Sequence, residues 1–592
     1  MLSDLLNLLD VGLRMIRAIQ TPTARTTALS AVDKEIDAFK CLTRSLFSSR
    51  NALAPISSLP PELLARIFRF YALVEPPWSG GQKLGWVGVT HVCRRWRQVA
   101  LDDSMLWART VGILPSAEWI FEGLVRARNA PLLFDIVGRP SPVVLSKFTP
   151  HMFHTRNLRL PRLSIHDSQV VQEICALEAP VLEYFELGVS DAFPITFPAG
   201  MTLFKGHSPK LRSFTTSQVV IPWSLIPRGQ LTQLKITFSR GISTPGISSL
   251  NDSNQLFGLL INSPELEVLS LEFCLPSMLP QGSHGEAIHL PRLSRLSLSG
   301  STSRVTNLLK RLKLPSSATL HLRCISEDPS TYPNDLITPL ISAHFHNPAP
   351  MEFESFRVTI SCRERLMRVA ASIAPTKSRV NQSWVLEDHR DNEPELTLSF
   401  DNLPPFSHSS QVDILGQLCS MLAISNLKFL SISACNKFQY TDWDKLFQQC
   451  KKITTIQATG LGASGLLGSI APLKPTNVTS GRKGRNKRRK ATQTQVTGTM
   501  RAYAAPTSPL PKLTSLLLEN IDVGVPQPHS GVLYDILADT LRRRKENKTP
   551  LKTLCVDRCV IGTKQVDSLQ KFVEEVRWDR DEGIARTGWL WL

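Results

Sequence analysis

Apolar residues along the chain follow two periods, and the change between them predicts two kinds of structure. The first period is helical, with apolar positions at Leu63, Leu64, Ile67 and Phe68, then at Val92, Trp96 and Val99. Spacings of three and four residues predict two short amphipathic helices. After about residue 150 the pattern changes to short Leu-x-x-Leu-x-Leu segments, which are typical of repeated strands.

The start of the first helix is marked by Pro60 and Pro61. Proline has a preset φ and no N–H that would be left unpaired in a first helical turn. On the second helix, Arg94, Arg95 and Arg97 are expected to stay in solvent. Two short helices cannot bury their apolar faces against each other alone, so we expect a partner to cover part of this surface.

Residues 55–68, 92–100 and the pair Leu106-Trp107 resemble the F-box. The F-box is the adaptor-binding segment of substrate receptors in cullin-type ubiquitin ligases. The resemblance covers residues 55–107 and depends on the Leu59-Pro60 start and the Trp-centred second helix. Residues 75–88 depart from it, because they form a Pro/Gly/Trp-rich insertion that is longer than usual. F-box-like proteins of mushroom-forming fungi often carry such an insertion, so the resemblance extends to that branch.

The resemblance implies a set of candidate docking or module-core residues, and the sequence does not separate these two roles. They are Leu59, Pro60, Leu63, Leu64, Ile67, Phe68, Val92, Cys93, Trp96, Val99, Leu106 and Trp107. The alternative interpretation of residues 55–107 is a helical cap on the domain that follows.

Nine later segments carry the Leu-x-x-Leu-x-Leu pattern in full or in part. They begin at Leu182, Leu211, Leu231, Leu266, Leu293, Leu427, Ile453, Leu513 and Leu551. The first five begin 29, 20, 35 and 27 residues apart, which straddles the leucine-rich-repeat period of about 20 to 29. Cys274, Cys435 and Cys559 stand three residues after the last apolar position, where such repeats favour Asn or Cys.

These observations predict an α+β chain, with a helical F-box-like module followed by an irregular leucine-rich-repeat-like solenoid of the α/β repeat class. Unrelated amphipathic strands of an ordinary α/β domain are the alternative. Between residues 315 and 405 only two strands are predicted, over 354–360 and 395–400. The predicted segments are a helix within 1–50, the F-box-like domain at 51–112, the solenoid at 113–471, an insertion at 472–509, and C-terminal repeats with a cap at 510–592.

The N-terminal segment carries a partial heptad pattern. Its apolar positions are Val32, Ile36, Phe39, Leu46 and Leu53, and its other core positions hold Thr43 and Arg50. This pattern is short and interrupted for a coiled coil. It predicts a helix that packs back onto the F-box-like module, and self-association remains the alternative.

The insertion contains a dense basic run. The formal net charge of the chain is +18, and seven positive charges lie in one short stretch, at Arg482, Lys483, Arg485, Lys487, Arg488, Arg489 and Lys490. A loop is predicted here, because such a segment cannot bury apolar surface. The run is a candidate nuclear-import signal, with phosphate binding and passive solvation as alternatives. No aromatic side chain is interleaved to stack on bases, which disfavours nucleic acid as a partner.

The candidate motifs for catalysis, metal binding and cofactor binding lack the neighbouring residues that each of them requires. Gly460, Gly462 and Gly465 fit G-x-G-x-x-G, but Pro472 ends any following helix early, and the basic run stands where an acidic residue should hold a ribose. His151 and His154 have no further ligand at metal-binding spacing, except at His166. We therefore predict a non-enzymatic chain without a cofactor or a metal.

The odd count of 11 cysteines and the absence of a long apolar run favour an intracellular protein, in the nucleus, the cytoplasm or both, with no membrane partner. The predicted function is a substrate receptor that binds a Skp-type adaptor and a cullin complex through the module, and an unknown target protein through the repeats. Two alternatives remain: a repeat scaffold without a ligase, and a nuclear nucleic-acid-associated protein that uses the basic run.

Overall fold

The computed structural model contains two compact units, residues 1–190 with 202–211, and residues 191–201 with 212–592. It describes residues 10, 14, 17, 21–77, 84–136, 138–198, 200–240, 250, 252–276, 287–327, 339–341, 343–344, 352–361, 366–372, 394–401, 422, 424–434, 443, 447–460, 463–472, 509–524, 526–527 and 531–579.

The first unit begins with a long helix and continues with shorter ones. The helices are α1 (Pro22–Ala52), α2 (Pro61–Val74), α3 (Arg94–Asp102), α4 (Ser104–Thr110), α5 (Ala117–Ala127), α6 (Pro142–Phe148) and α7 (Ser168–Cys175). Short 3-10 helices precede α2 and α3, at Pro55–Ser58 and Gly85–His91. The side chain of Ser116 accepts a hydrogen bond from Trp119 N and caps the start of α5.

Three parallel strands alternate with the last helices of the first unit, at β1 (Leu132–Asp135), β2 (Thr155–Leu163) and β3 (Tyr184–Val189). Phe134 pairs with Leu158, and Leu158 pairs with Phe185, so the three side chains form one buried row. The ring of Phe134 also stacks on Phe148, with 3.9 Å between the ring centroids. This row joins the sheet to helix α6.

The second unit consists mainly of strands. They are β4 (Ile195–Thr196), β5 (Ser213–Ser217), β6 (Val219–Val220), β7 (Gln233–Thr237), β8 (Val268–Glu272), β9 (Ile288–His289), β10 (Arg295–Ser301), β11 (Leu312–Lys313), β12 (Thr319–Ile325), β13 (Ser355–Ser361), β14 (Leu366–Ser372), β15 (Leu396–Asp401), β16 (Phe429–Ala434), β17 (Thr455–Gly460), β18 (Ser515–Glu519), β19 (Pro526–Gln527), β20 (Gly531–Val532), β21 (Thr553–Asp557) and β22 (Glu575–Trp578). Its helices are α8 (Ser253–Ile261), α9 (Thr302–Leu309), α10 (Ala463–Ser469), α11 (Leu533–Glu546) and α12 (Thr563–Leu569).

Most of these strands belong to one large sheet, in the order β5-β7-β8-β10-β12-β15-β14-β13-β16-β17-β18-β21-β22. Neighbouring strands are parallel, except that β14 runs antiparallel to both β13 and β15. The parallel strands pair in register, so Leu234, Leu269, Leu296 and Leu320 form one fully buried row across four strands. Stacking of equivalent positions builds the core of this unit.

Several strands of the large sheet end on the same unusual backbone conformation. The residue two positions after the last buried inward-facing side chain, which is Thr216 in β5 and an apolar residue in the other strands, has a positive φ in five strands. These residues are Gln218, Phe273, Gly460, Asn520 and Arg558. A positive φ is unfavourable for most L-residues, and only Gly460 lacks a Cβ that raises its energy. Equivalent positions therefore make the same sharp turn.

The predicted strands agree well with this sheet. Each of the nine Leu-x-x-Leu-x-Leu segments contains one of its strands or β3, and the two strands predicted near residues 354–360 and 395–400 are confirmed as β13 and β15. Strands β12, β14 and β22 of this sheet were not predicted, and the apolar alternation of the antiparallel β14 carries no repeat signature. Cys435 and the whole basic run lie outside the described residues.

Helix α1 differs from its prediction. The expectation that it packs back onto the module is wrong, because none of its side chains whose burial is described is buried. Leu29, Ile36, Leu42, Leu46 and Phe47 are exposed along its length. Within the described part of the chain, no helix combines the length and the apolar character needed to cross a membrane.

Candidate functional site

Helix α2 presents apolar side chains on two different faces. Leu64, Ala65, Phe68 and Ala72 are buried and hold the helix in the first unit. A second stripe, at i, i+4, i+7 and i+11, points to solvent, and its exposed fractions are Leu63 47%, Ile67 45%, Phe70 59% and Val74 76%. We call these four residues the α2 stripe. A helix that is apolar on both faces is typical of one that receives a partner.

Aromatic pairs support the buried face of α2. Phe68 packs on Trp96 of α3, with 5.2 Å between ring centroids, and Trp86 meets Trp107 edge to face at 5.2 Å. The indole Nε1 of Trp107 donates to the carbonyl oxygen of Ala100 at 2.9 Å, so its polar atom is satisfied. The guanidinium of Arg126 lies over the Trp107 ring, 5.4 Å from its centroid. These unique pairs fix the position of α2.

A partly buried ion pair links α2 to the junction of α3 and α4. Arg69 Nε and Nη2 donate to the two carboxylate oxygens of Asp103 at 2.8 and 2.7 Å, and only 4% of the Asp103 side chain is exposed. This hydrogen bonding raises the pKa of Arg69 above its usual range. Two parallel bonds fix orientation as well as distance, so the pair sets how α2 is rotated about its own axis.

Arg95 fixes the segment that leads into α2. Its guanidinium donates to the carbonyl oxygens of Ser57 and Leu59, which corrects the expectation that Arg95 stays in solvent. Arg97 also donates from Nε to the carbonyl oxygen of Thr90 at 2.7 Å, although it is largely exposed. Arg94 is exposed, as expected. Sequence alone could not reveal these bonds, because their acceptors are backbone atoms.

The residues predicted from the resemblance divide into three groups. The exposed ones are Pro60, Leu63, Ile67 and Val92. The half-buried ones are Leu59, Cys93, Trp96 and Val99. The buried ones are Leu64, Phe68, Leu106 and Trp107. A partner can reach the first group and part of the second, while the third group forms the module core. Phe70 and Val74 were missed, although helical spacing from Ile67 would have identified them.

The insertion between α2 and α3 is joined to the module at both ends. Trp86 N donates to the carbonyl oxygen of Glu75 at 2.8 Å, and Pro77 and Trp86 are buried. Gly85 has a φ of +54°, and a Cβ there would lie 2.6 Å from the carbonyl carbon of Pro76. Glycine is therefore required where the chain returns. Residues 78–83 lie outside the described part of the chain.

Two of the three histidines that were considered as metal ligands contact each other. His154 contacts His151, with 3.0 Å between Nε2 and Nδ1, and its own Nδ1 lies 2.7 Å from the carbonyl oxygen of Ala130. Burial is the main cause that lowers the pKa of His151. His166 is exposed, and no group of three His, Cys, Asp or Glu side chains among the described residues is placed to hold a metal ion.

The buried thiols and the glycine motif, of which Gly462 lies outside the described residues, belong to the second unit. Burial raises the pKa of Cys450 and Cys559 to about 12, so neither thiol is a thiolate nucleophile at neutral pH. Gly460 ends β17, and the short helix α10 follows it with only seven residues. This helix ends before Pro472, as the sequence predicted.

Residues 56–111 match the F-box-like family model. The match contains the α2 stripe, the aromatic pairs and the Arg69–Asp103 ion pair. No match was found among the curated proteins. An F-box-like domain suggests an adaptor role in ubiquitin ligases in general, and such domains bind Skp-type adaptors. F-box proteins are typically non-enzymatic substrate adaptors, and the domain places the chain in the context of protein–protein interaction.

Proposed function

We propose that the chain is a non-enzymatic substrate receptor of a cullin-type ubiquitin ligase. Its F-box-like domain would bind a Skp-type adaptor, and its second unit would hold a target protein. The observation that carries the proposal is the α2 stripe, an exposed apolar surface on a helix that a separate buried face already anchors. The stripe lies within the segment that matches the F-box-like model.

The chemistry of the α2 stripe suits a rigid, preformed docking surface. The partner gains apolar burial without paying to order α2, because the aromatic core and Arg69–Asp103 already hold that helix. Val92 adds a further exposed apolar side chain just before α3. Leu59 and Pro60 complete the edge of the surface, and Arg95 fixes the carbonyl of Leu59. A few residues near the centre of such a surface carry most of the binding energy.

For the second unit we propose an irregular leucine-rich-repeat-like solenoid. Three observations support this proposal: equivalent leucines stack in register on parallel strands, strands end on the same positive-φ turn, and two of the predicted cysteine positions bond alike. The Cys274 thiol donates to the carbonyl oxygen of Ile236 at 3.6 Å, and Cys559 donates to that of Leu518 at 3.5 Å. Each bond reaches back to an earlier strand.

The target-binding surface would be the polar side of these strands. Positions between the buried leucines carry polar groups, such as the in-register row Ser297, His321 and Thr397 on β10, β12 and β15. A solenoid of this kind offers an extended surface to a protein partner. Nuclear import through the basic run, association with a cullin complex, and a nuclear or cytoplasmic location remain parts of the same proposal.

The decisive experiment measures capture of a purified Skp-type adaptor by the full chain. We expect the double variant Leu63→Asp with Ile67→Asp to weaken capture at least about tenfold, because each charge would be buried in the interface. Both side chains are exposed, so the module should still fold, and circular dichroism checks this. Val125→Asp on α5 is the matched control, because Val125 is an exposed apolar residue outside the stripe.

Two outcomes would overturn the proposal. One is unchanged capture by the folded double variant, since the stripe would then not be the docking surface. The other is failure of the wild-type chain to bind any Skp-type adaptor while it binds unrelated proteins, which would favour a repeat scaffold. Association that disappears after nuclease treatment would instead favour the nucleic-acid alternative.

A further inference from the structure

The exposed side of helix α1 follows a heptad repeat that the module does not use. With Leu29 at position a, the a seats are Leu29, Ile36, Thr43 and Arg50, and the d seats are Val32, Phe39, Leu46 and Leu53. Leu53 is the C-cap residue, directly after the last helical residue Ala52. Three and a half heptads are close to the length at which such a pattern indicates a coiled coil. At 1.5 Å per residue the seam is about 36 Å long.

The remaining large apolar residues of this stretch flank the same seam. Leu42 falls on g and Phe47 falls on e, and both are exposed. The outward seats b, c and f hold only small, polar or charged residues, namely Ser30, Ala31, Lys34, Asp37, Ala38, Cys41, Arg44, Ser45, Ser48, Asn51 and Ala52. All large apolar side chains between residues 29 and 53 therefore lie on one face.

This face needs a partner. A helix gains most of its stability in a protein from packing of its apolar face, and none of the α1 side chains whose burial is described is buried. Thr26 and Thr27 also direct their hydroxyl groups to the carbonyl oxygen of Thr23 rather than to another element. An isolated helix of this composition would be marginal in water.

Charge pairing identifies the partner. In a parallel two-stranded coiled coil, each g residue faces the e′ residue five positions later on the other helix. Glu35 then faces Lys40 of a second copy, and Lys40 faces Glu35 in return, so two attractive pairs form. Leu42 faces Phe47 in the same way, which continues the apolar contact. The seam is thus complementary to itself.

Polar core seats select the register of this pairing. Thr43 and Arg50 occupy a positions, where a polar residue costs stability and specifies alignment. In a parallel alignment Thr43 faces Thr43 of the second copy, and Arg50 faces Arg50. Arg50 lies in the last turn of the helix, where its charged end can reach water. An antiparallel alignment places a positions opposite d positions, so it would instead set Thr43 and Arg50 against apolar residues such as Phe39.

We propose that two copies of this chain associate through a parallel coiled coil of α1, with Glu35–Lys40′ pairs flanking the seam. The inference is independent of adaptor binding. The dimer would display two F-box-like domains, each following directly from its own α1 helix after the 3-10 helix Pro55–Ser58.

The first test is sedimentation of the full chain over a range of concentrations. We expect a dimer, which Phe39→Asp should convert to a monomer. Lys40→Glu should weaken the dimer by about tenfold, because two attractions become two repulsions of exposed charges. Adding Glu35→Lys to Lys40→Glu should restore it. Lys34→Glu is the matched control at an outward seat and should change nothing.

The second test fixes the orientation by disulfide cross-linking. Val32→Cys and Leu46→Cys, made one at a time at d seats, should each cross-link to the same residue of a second copy. An antiparallel pair can bring together at most one of these two positions. The native Cys41 lies on the outward f seat and is exposed, so the wild-type chain serves as the uncross-linked control.

A monomeric wild-type chain at all concentrations would overturn the proposal, and so would a dimer that Phe39→Asp leaves intact. Restoration by the double charge reversal separates a coiled coil from a merely sticky surface. If the wild-type chain is monomeric and Phe39→Asp weakens adaptor capture, the adaptor covers α1 in place of a second copy.

Discussion

The helical module around α2 and the large sheet of the second unit build their cores in different ways. In the module each aromatic side chain has one particular partner, as Phe68 has Trp96 and Trp86 has Trp107. In the sheet an equivalent leucine recurs on the neighbouring strand, as in the row through Leu269 and Leu296. Loss of one side chain should therefore disable the module as a whole, while the sheet should respond locally.

The largest effect is expected for Trp107→Ala. The substitution removes a buried ring, its contact with Trp86 and its bond to Ala100, and should cost about 3 to 5 kcal/mol in the free energy of unfolding. Hydrogen exchange of the full chain should rise throughout residues 84–110, and adaptor capture should fall with it. Trp107→Phe keeps an aromatic contact and should cost less. Equal costs for the two variants would contradict the importance of the ring pair.

The second unit also contains a residue with particular partners of its own, like those of the module. Arg544 on α11 is fully buried, and its guanidinium donates to the carbonyl oxygens of Ile470, Leu510 and Leu513 at 3.1, 3.0 and 3.3 Å. Burial lowers its pKa to about 10, which leaves it charged at neutral pH. We call these bonds the Arg544 clamp.

We expect Arg544→Ala to cost about 1 to 3 kcal/mol, because buried carbonyl oxygens lose their donors. Hydrogen exchange should increase in residues 463–472 and 509–519 and stay unchanged near β8. Arg542→Ala on the same helix is the control: its side chain is half exposed, and its loss should stay within about 0.5 kcal/mol. Similar exchange in the two variants would argue against the clamp.

The smallest effect is expected at a repeated position. Cys274→Ala should lower the free energy of unfolding by about 1 kcal/mol, because the thiol bond to Ile236 is lost while the stacked leucines remain. Cys274→Ser keeps a donor in the same place, so it should retain the bond. Urea denaturation compares the two variants. If Ser is more damaging than Ala, the cysteine serves as an apolar residue and the bond is incidental.

The same contrast explains how far sequence could predict the fold. Most strands of the sheet were predictable, because buried apolar positions recur with the same spacing in successive segments of the chain; β12 and β22 were missed. The antiparallel β14 escaped, since Met367, Val369 and Ala371 alternate without the repeat spacing. The exposure of α1 was not predicted either, because a heptad pattern shows which face of a helix is apolar but not what covers that face.

Prediction of the docking site was less complete for a physical reason. Helical spacing identified the apolar residues of α2. It did not show that Leu64 and Phe68 are buried while Leu63 and Ile67 are exposed, which only the folded structure reveals. The hydrogen bonds of Arg95 end on backbone carbonyl oxygens, which every residue has, so the sequence does not indicate them. Contacts between distant side chains, such as Arg69 with Asp103, require the folded chain.

The Arg544 clamp has a consequence for how this chain tolerates added length. Ile470 and Leu510 lie on either side of residues 473–508, and one guanidinium binds both of their carbonyl oxygens. The folded unit thus fixes the distance between the two ends, whatever the connection contains. For a flexible connection, each doubling of length costs only about 0.6 kcal/mol in closure entropy. This position is therefore a natural splice point, where a label or a small domain could be inserted with little effect on the sheet.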